Sequence, residues 1–298
     1  MVLTTKLLQF KCDQRNVRAV RFNTDGRYAI TCGSDKTIKL WNPYTGLHLN
    51  TYSGEVGDIL DACSSNDNSL ILSGGVGKVL MLFNVETKKN TRRWQGHFNQ
   101  INAVAFNEEA TVAFSASQDG TVRSYDMKTH SKNPIQVFDE ANDGILSLDI
   151  KENEIATGCA DGTFRIYDLR KGAMSIDHVD VPVTNVQLTE DNQCILVGTL
   201  NSHINLFDKL NGESLACYDK HINKQYKIEC GMLVSGNEIL TGSEDGNAYL
   251  YDMLSGNIVG SLDHKEFSSY VHSVACHPKE MKAMTGAKDV VCVWEFVK

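Results

Sequence analysis

The chain has 298 residues, 42% hydrophobic and 22% charged, with 29 Lys plus Arg against 37 Asp plus Glu and a net charge of −8. This is globular composition with ample apolar material for a core, and only four prolines, which excludes a disordered or linker-rich chain. The acid excess argues against broad, sequence-independent binding to phosphate backbones, no direct sequence-specific nucleic-acid binding is expected, and no apolar run is long enough to predict a membrane span.

The start, "MVLTTKLLQFKCDQR", lacks the apolar core of a signal peptide. Nine cysteines form no C-x-x-C pair, and no N-x-[ST] sequon occurs. Both features predict free thiols in a reducing compartment.

In chain order, "TKLLQF" (5–10) is an alternating strand standing alone. A strand–turn–strand series follows: "VRAVRF" (17–22), the turn "NTDG" (23–26), "AITCGS" (29–34), a tight turn at Asp35, "TIKLW" (37–41), and a turn at Gly46. The same order recurs in "INAVAF", "VAFSAS", "TVRSY" (101–125), in "ILSLDI", "EIATGCA", "TFRIY" (145–167), and onward to "VHSVAC" and "AMTGA" (271–287). Alternation punctuated by Gly, Asn and Asp is the signature of strands and turns.

Each series ends on an aromatic and a polar residue: Trp41-Asn42, Phe83-Asn84, Tyr125-Asp126, Tyr167-Asp168, Phe207-Asp208, Tyr251-Asp252 and Trp294-Glu295. The intervals are 42, 42, 42, 40, 44 and 43 residues, so the chain is a sevenfold repeat. Four strands per repeat closing on a Trp-Asp-like dipeptide resembles the WD-repeat family of β-propellers. The resemblance implies an all-β, seven-bladed ring, with residues 1–298 forming one propeller. The last repeat runs out at "VCVWEFVK" without a fourth strand. Residues 5–10 are therefore expected to complete that blade and close the ring.

Asp35, Asp119, Asp161 and Asp245 lie six residues before their aromatics and are expected to accept hydrogen bonds in tight turns. Gly77, Asn201 and Lys288 hold that place in repeats two, five and seven. The resemblance implies that such an Asp joins a His from a Gly-His pair, a strand Ser or Thr, and a Trp. Only Gly96-His97 supplies the pair, so no complete network is expected.

Catalytic patterns are missing. "SGGVGKV" (73–79) has Leu72 and Val79 where a phosphate loop needs Gly and Ser or Thr, and no helix follows. The cysteines and histidines do not cluster at metal-ligand spacing, and no G-x-S-x-G or H-E-x-x-H occurs. The innermost strands, read as "RAVRF", "NAVAF" and "SLDI", offer no converging carboxylates for a small-molecule site. We therefore expect no cofactor, no metal and no enzyme.

The rim of the ring remains as a binding surface. Mapped by the resemblance, it comprises Asn16, Arg18, Ser34, Asp58, Gln100, Asn102, Gln118, Pro182, Tyr226, Glu244, Tyr270 and His272. Tyrosines and arginine are the residue types that dominate interface energies. The lead-in to repeat six, "YDKHINKQYKIEC" (218–230), is longer than the others.

"VRAVRFNTDGRYAITCGSDKTIKLWNP" (17–43), "FNEEATV" (106–112), "DEANDG" (139–144) and "ADGTFRIYDLRKG" (160–172) resemble the mitogen-activated protein kinase organiser family of WD-repeat scaffolds. That resemblance implies a monomeric, non-catalytic scaffold within larger complexes. Its partners would be kinase-cascade members and splicing factors, in the cytoplasm and nucleus. "YDLR", with Tyr167, Asp168 and Arg170, also resembles the motif by which some WD-repeat proteins dock on the adaptor of cullin-type ubiquitin ligases.

Overall fold

The computed structural model describes residues 3–297, which form twenty-eight strands and no helix. The strands make seven antiparallel sheets of four, each a blade. Blade one runs from its inner strand Val17–Phe22 through Ala29–Gly33 and Thr37–Asn42 to the outer strand Leu47–Ser53. Blades two to six repeat this order over residues 59–95, 101–138, 145–178, 183–218 and 230–263.

Blade seven takes Ser273–Cys276, Lys282–Ala287 and Val290–Val297 from the end of the chain and Leu3–Lys11 from its start. Leu3 lies opposite Val297 and Lys11 opposite Val290, so the two ends of the chain zip the ring shut. Blade seven thereby has the same four strands as the others, with Leu3–Lys11 covering the edge of the apolar strand Val290–Val297.

The repeat pattern explains the packing. Second strands such as Ala29–Gly33 are buried along their whole length, because a neighbouring blade covers each face. Outer strands such as Ala173–His178 are almost wholly exposed. The apolar clusters lie between blades: Ile30, Ile38 and Tyr52 of blade one pack with Ile59, Ile71 and Phe83 of blade two. Each sheet thus depends on its neighbour for a core, and seven partial cores share one ring.

The tight turns between second and third strands have a fixed backbone. Each contains one residue in the left-handed region: Lys36, Lys78, Gly120, Gly162, Ser202, Gly246 and Lys288, with φ between 54° and 83°. Glycine in three of the seven removes the Cβ penalty there. Asp35, Asp119, Asp161 and Asp245 each accept from the backbone N–H two residues on, at 3.0–3.1 Å. In blade seven the hairpin is one residue shorter. Thr285 precedes Trp294 by nine residues, whereas Thr31 precedes Trp41 by ten. Asp289 fills the role left by Lys288 by a different route, accepting the Gln14 N–H across the ring seam at 2.7 Å.

The inner strands form a polar lining. Their inward edges have no further strand to pair with, and side chains from the preceding blade satisfy several of their N–H groups. Asp61 accepts from Val104, Asp149 from Leu188, Gln187 from Met232, and Ser273 from Val20, all at 2.7–3.0 Å.

Candidate functional site at the ring axis

The segments leading into six of the seven blades each carry a polar residue that reaches the strand wall. In blade three His97 bridges Asp119 at 2.9 Å and Ser115 at 2.8 Å. In blade one this place is taken by Gln14, which binds the Thr31 hydroxyl at 2.5 Å, and Thr31 accepts from the Trp41 indole at 2.9 Å. In blade seven His264 holds Thr285 at 2.6 Å, which accepts from Trp294 at 2.8 Å. Glu140 accepts from Tyr167 at 3.1 Å, and His221 meets Tyr251 at 3.2 Å. The network is therefore widespread, with Gln, Glu or a His lacking its preceding Gly standing in for the Gly-His pair.

Blade two uses Glu55, which accepts from Ser73 at 2.6 Å. Burial pushes its carboxyl up to about 7. A raised folded-state value means its stabilising contribution is complete below about 4.5 and is lost as pH rises through 7. Glu55→Gln keeps the acceptor and removes the ionisation. The variant is expected to match the parent at pH 4 and to exceed it at pH 8 by about 2–3 kcal/mol, read by chemical denaturation. Parallel stability–pH curves for the two chains would contradict this account of the buried carboxyl.

The expected rim residues fall into three groups. Arg18 pairs with Asp58 at 3.2 Å, and Ser34 donates to the same Asp58 oxygen at 2.8 Å. Gln100 donates to Asn102, which donates to Gln118 and to the Ile145 carbonyl. Tyr226 and Tyr270 stack with ring centroids 4.7 Å apart at 17°, and Tyr270 touches His272. Asn16 and Pro182 act through their carbonyls, which accept from Ser34 N and Leu200 N.

Three members of the set differ from a plain contact surface. Asn102 is buried, with its amide spent inside the ring. Both ring nitrogens of His272 are covered and have no hydrogen-bond partner among the described residues. The Glu244 carboxylate accepts from three successive backbone N–H groups, Lys224, Gln225 and Tyr226, at 2.6–2.9 Å. Glu244 therefore fixes the long lead-in of blade six, and with it Tyr226.

Beneath the mouth the inner strands depart from the expectation that they offer no converging carboxylates. Arg21 donates to Glu229 at 2.7 and 2.9 Å and to Asp61 at 2.8 Å, and Glu229 also accepts from Ser273 at 2.6 Å. Lys227 donates to the Asn102 carbonyl at 3.0 Å, joining blade six to blade three across the channel. Burial pulls the Lys227 ammonium down from its ordinary range. The inner strands thus do bring carboxylates together, with an arginine clamped between them. At the other end of the axis, Phe22, Cys63, Asp149, Leu188, Met232 and Cys276 border a cavity of about 860 Å³.

Elsewhere, Tyr167 is buried, Asp168 accepts from the N–H groups of Arg170 and Lys171 at 3.0 Å, and Arg170 is exposed. Among the described residues no helix is long and apolar enough to cross a membrane.

A family model described as Nucleolar protein 10-like, N-terminal domain, a β-propeller, matches residues 4–239. The human WD repeat domain-containing protein 83 is 42% identical over 289 residues, which is 97% of this chain and 91% of that protein. The zebrafish protein of the same name (Danio rerio) is 43% identical over 95% of this chain and 89% of its own length. A homolog from Dictyostelium discoideum is 29% identical over 94% of each. The chain belongs to the WD repeat domain-containing protein 83 family of β-propellers. The repeat series, the seven blades and the relatives support a protein-interaction scaffold. In this WD-repeat propeller the axial mouth brings the stacked Tyr226 and Tyr270 to the same rim as Arg18.

Proposed function

We propose that this chain is a non-catalytic scaffold that docks components of a mitogen-activated protein kinase cascade and of the spliceosome, working in both cytoplasm and nucleus. The observation that carries the docking site is the Tyr226–Tyr270 stack at the mouth of the channel. Its backbone is held by Glu244, so little ordering entropy is lost when a partner binds. Arg18 lies on the same side of the ring, where its charge acts on His272, the ring neighbour of Tyr270.

The test is the triple change Arg18→Ala, Tyr226→Ala, Tyr270→Ala, followed by affinity capture and mass spectrometry. It is expected to abolish capture of at least one kinase-cascade or splicing component, because hot-spot residues contribute about 2–4 kcal/mol each. The melting temperature should stay within a few degrees, since all three side chains are at least partly exposed. The control is Lys88→Ala with Lys89→Ala, both exposed. Both lie on the outer wall, and Arg92, whose guanidinium holds the carbonyls of Asp126 and Thr129, is left in place. Loss of capture in the control and not in the triple variant would move the site to the outer wall.

A second reading rests on Arg170, whose side chain stands exposed beside the turn built by Asp168. A ligase adaptor co-purifying with the chain and lost on Arg170→Ala would establish it.

A further inference from the structure

The rim of blades two and three carries a second surface, separate from the tyrosine mouth. Phe98 is 81% exposed, and Val56 and Val76 are 68% and 45% exposed. Val56 and Val76 sit side by side on the two loops that approach each other at Gly57 and Gly77. Phe98 joins them because the Lys78 amine, two residues beyond Val76, donates to the Phe98 carbonyl at 2.9 Å. The Phe98 N–H is tied to the Asp119 carboxylate at 2.8 Å. An exposed phenyl ring is thus pinned by its backbone on both sides, which is an unusual expense of order on a residue that packs against little. Exposed apolar groups gathered in this way mark interaction sites.

Three cations surround the patch. Lys78 is fixed on the Phe98 carbonyl, Arg123 lies with its guanidinium carbon 5.9 Å from the centre of the Phe98 ring, and Arg93 approaches Gly54, two residues from Val56. None of the three has a carboxylate within 4.0 Å among the described residues. The acids nearby are committed: Asp119 to His97, Phe98 and Thr121, and Asp58 to Arg18 and Ser34. Glu55 is buried on Ser73. A chain with a net charge of −8 therefore presents a locally positive ring around an apolar centre. "SGGVGKV" supplies two parts of it: its glycines shape the turn, and Val76 and Lys78 reach the surface.

We propose that Val56, Val76 and Phe98, with Lys78, Arg93 and Arg123, form a docking site for an extended acidic segment of a partner protein, in which carboxylates flank an apolar side chain. The apolar side chain covers Phe98 and the valines, and the carboxylates meet the cations. The three cations have different local anchors: the Phe98 carbonyl, Asn90 for Arg93, and Thr121 for Arg123. They are placed for separate carboxylates along a strand rather than for convergence on one phosphate.

The test is selection of a display library of random peptides, about twelve residues long, on the full chain. Parallel selections use Phe98→Ser and the pair Lys78→Gln with Arg93→Gln. The bound peptides are expected to be enriched in Asp and Glu around one apolar residue, and Phe98→Ser is expected to weaken them at least tenfold by fluorescence anisotropy. The double charge variant should lose the acidic preference and flatten the salt dependence. Melting temperatures report folding, and a folded Phe98→Ser chain that binds as the parent does overturns the proposal. So do basic or uncharged selected peptides, no enrichment at all, or a phosphoserine peptide that outcompetes its glutamate counterpart by tenfold. The Tyr226→Ala, Tyr270→Ala double variant, which keeps the Arg18–Asp58 pair beside the patch, should bind the selected peptides as the parent does, which separates this surface from the tyrosine mouth.

Discussion

Removing residues 1–12 is expected to lower the melting temperature by about 10–20 °C. The segment supplies the whole outer strand of blade seven, paired from Leu3–Val297 to Lys11–Val290. It also brings Leu8, Phe10 and Cys12 into the cluster containing Trp41, Val291 and Val293, with the Phe10 ring 4.9 Å from Trp41. Lost burial and a lost strand ladder together amount to about 5 kcal/mol. For a chain of this size each kcal/mol moves the midpoint by about 2–4 °C. The shortened chain would also expose Val290–Val297 as an apolar edge, so concentration-dependent aggregation should accompany the loss. Calorimetry of the full and shortened chains measures the shift, and adding a synthetic peptide of residues 3–12 should recover part of it. An unchanged melting curve would mean that closure of the ring does not depend on this strand.

That strand was legible in the sequence because the chain counts its own repeats. Seven aromatic markers with only the last lacking a fourth strand leave one place for "TKLLQF". The blades were legible for the same reason: each strand is short, local and punctuated by residues that turn. The axis was not. The inner strands carry an irregularity after their first residue, as between Val17 and Ala19, Ile59 and Asp61, or Ile145 and Ser147. Such a bulge breaks the two-residue alternation, so reading along one strand assigns faces wrongly. Reading down the repeats at one position would have helped. The residues at the second position of these repeats are Arg18, Leu60, Asn102, Leu146, Thr184, Glu229 and His272, five of them polar or charged and so unsuited to a core.

The lead-in network was partly hidden for a chemical reason. The Gly-His signature finds only His97, yet any side chain with a hydrogen-bonding tip of similar reach can meet the strand hydroxyl. Gln14 and Glu55 do so, and no spacing rule distinguishes them from solvent-facing residues. Glu244 shows the converse. Its place on the rim was legible, but its three backbone donors belong to an inserted loop whose course only the fold reveals.

Arg21→Met is expected to destabilise the chain by about 3–5 kcal/mol at pH 7, the cost of stranding a buried charge without its partner. Burial alone would raise the Glu229 carboxyl, and the Arg21 guanidinium overrides it and holds that carboxyl down at about 2. Because this folded-state value is depressed, the stabilisation is present above the ordinary value near 4.5 and fades as pH falls toward 2. In the methionine variant the guanidinium is gone and burial pushes Glu229 the other way. The gap between the two chains should therefore be widest at neutral pH and narrow as the solution is acidified below about 5. Adding Glu229→Gln to Arg21→Met should recover much of the loss at pH 7, since it removes the stranded carboxylate, while Glu229→Gln alone leaves Arg21 its bond to Asp61. The double-mutant cycle by urea denaturation should give a coupling of about 2 kcal/mol or more between the two positions. Additive losses would show that Arg21 and Glu229 are solvated independently. The channel would then be wet and wide at this level, and not closed by an ion bridge that ties blades one, two and six together.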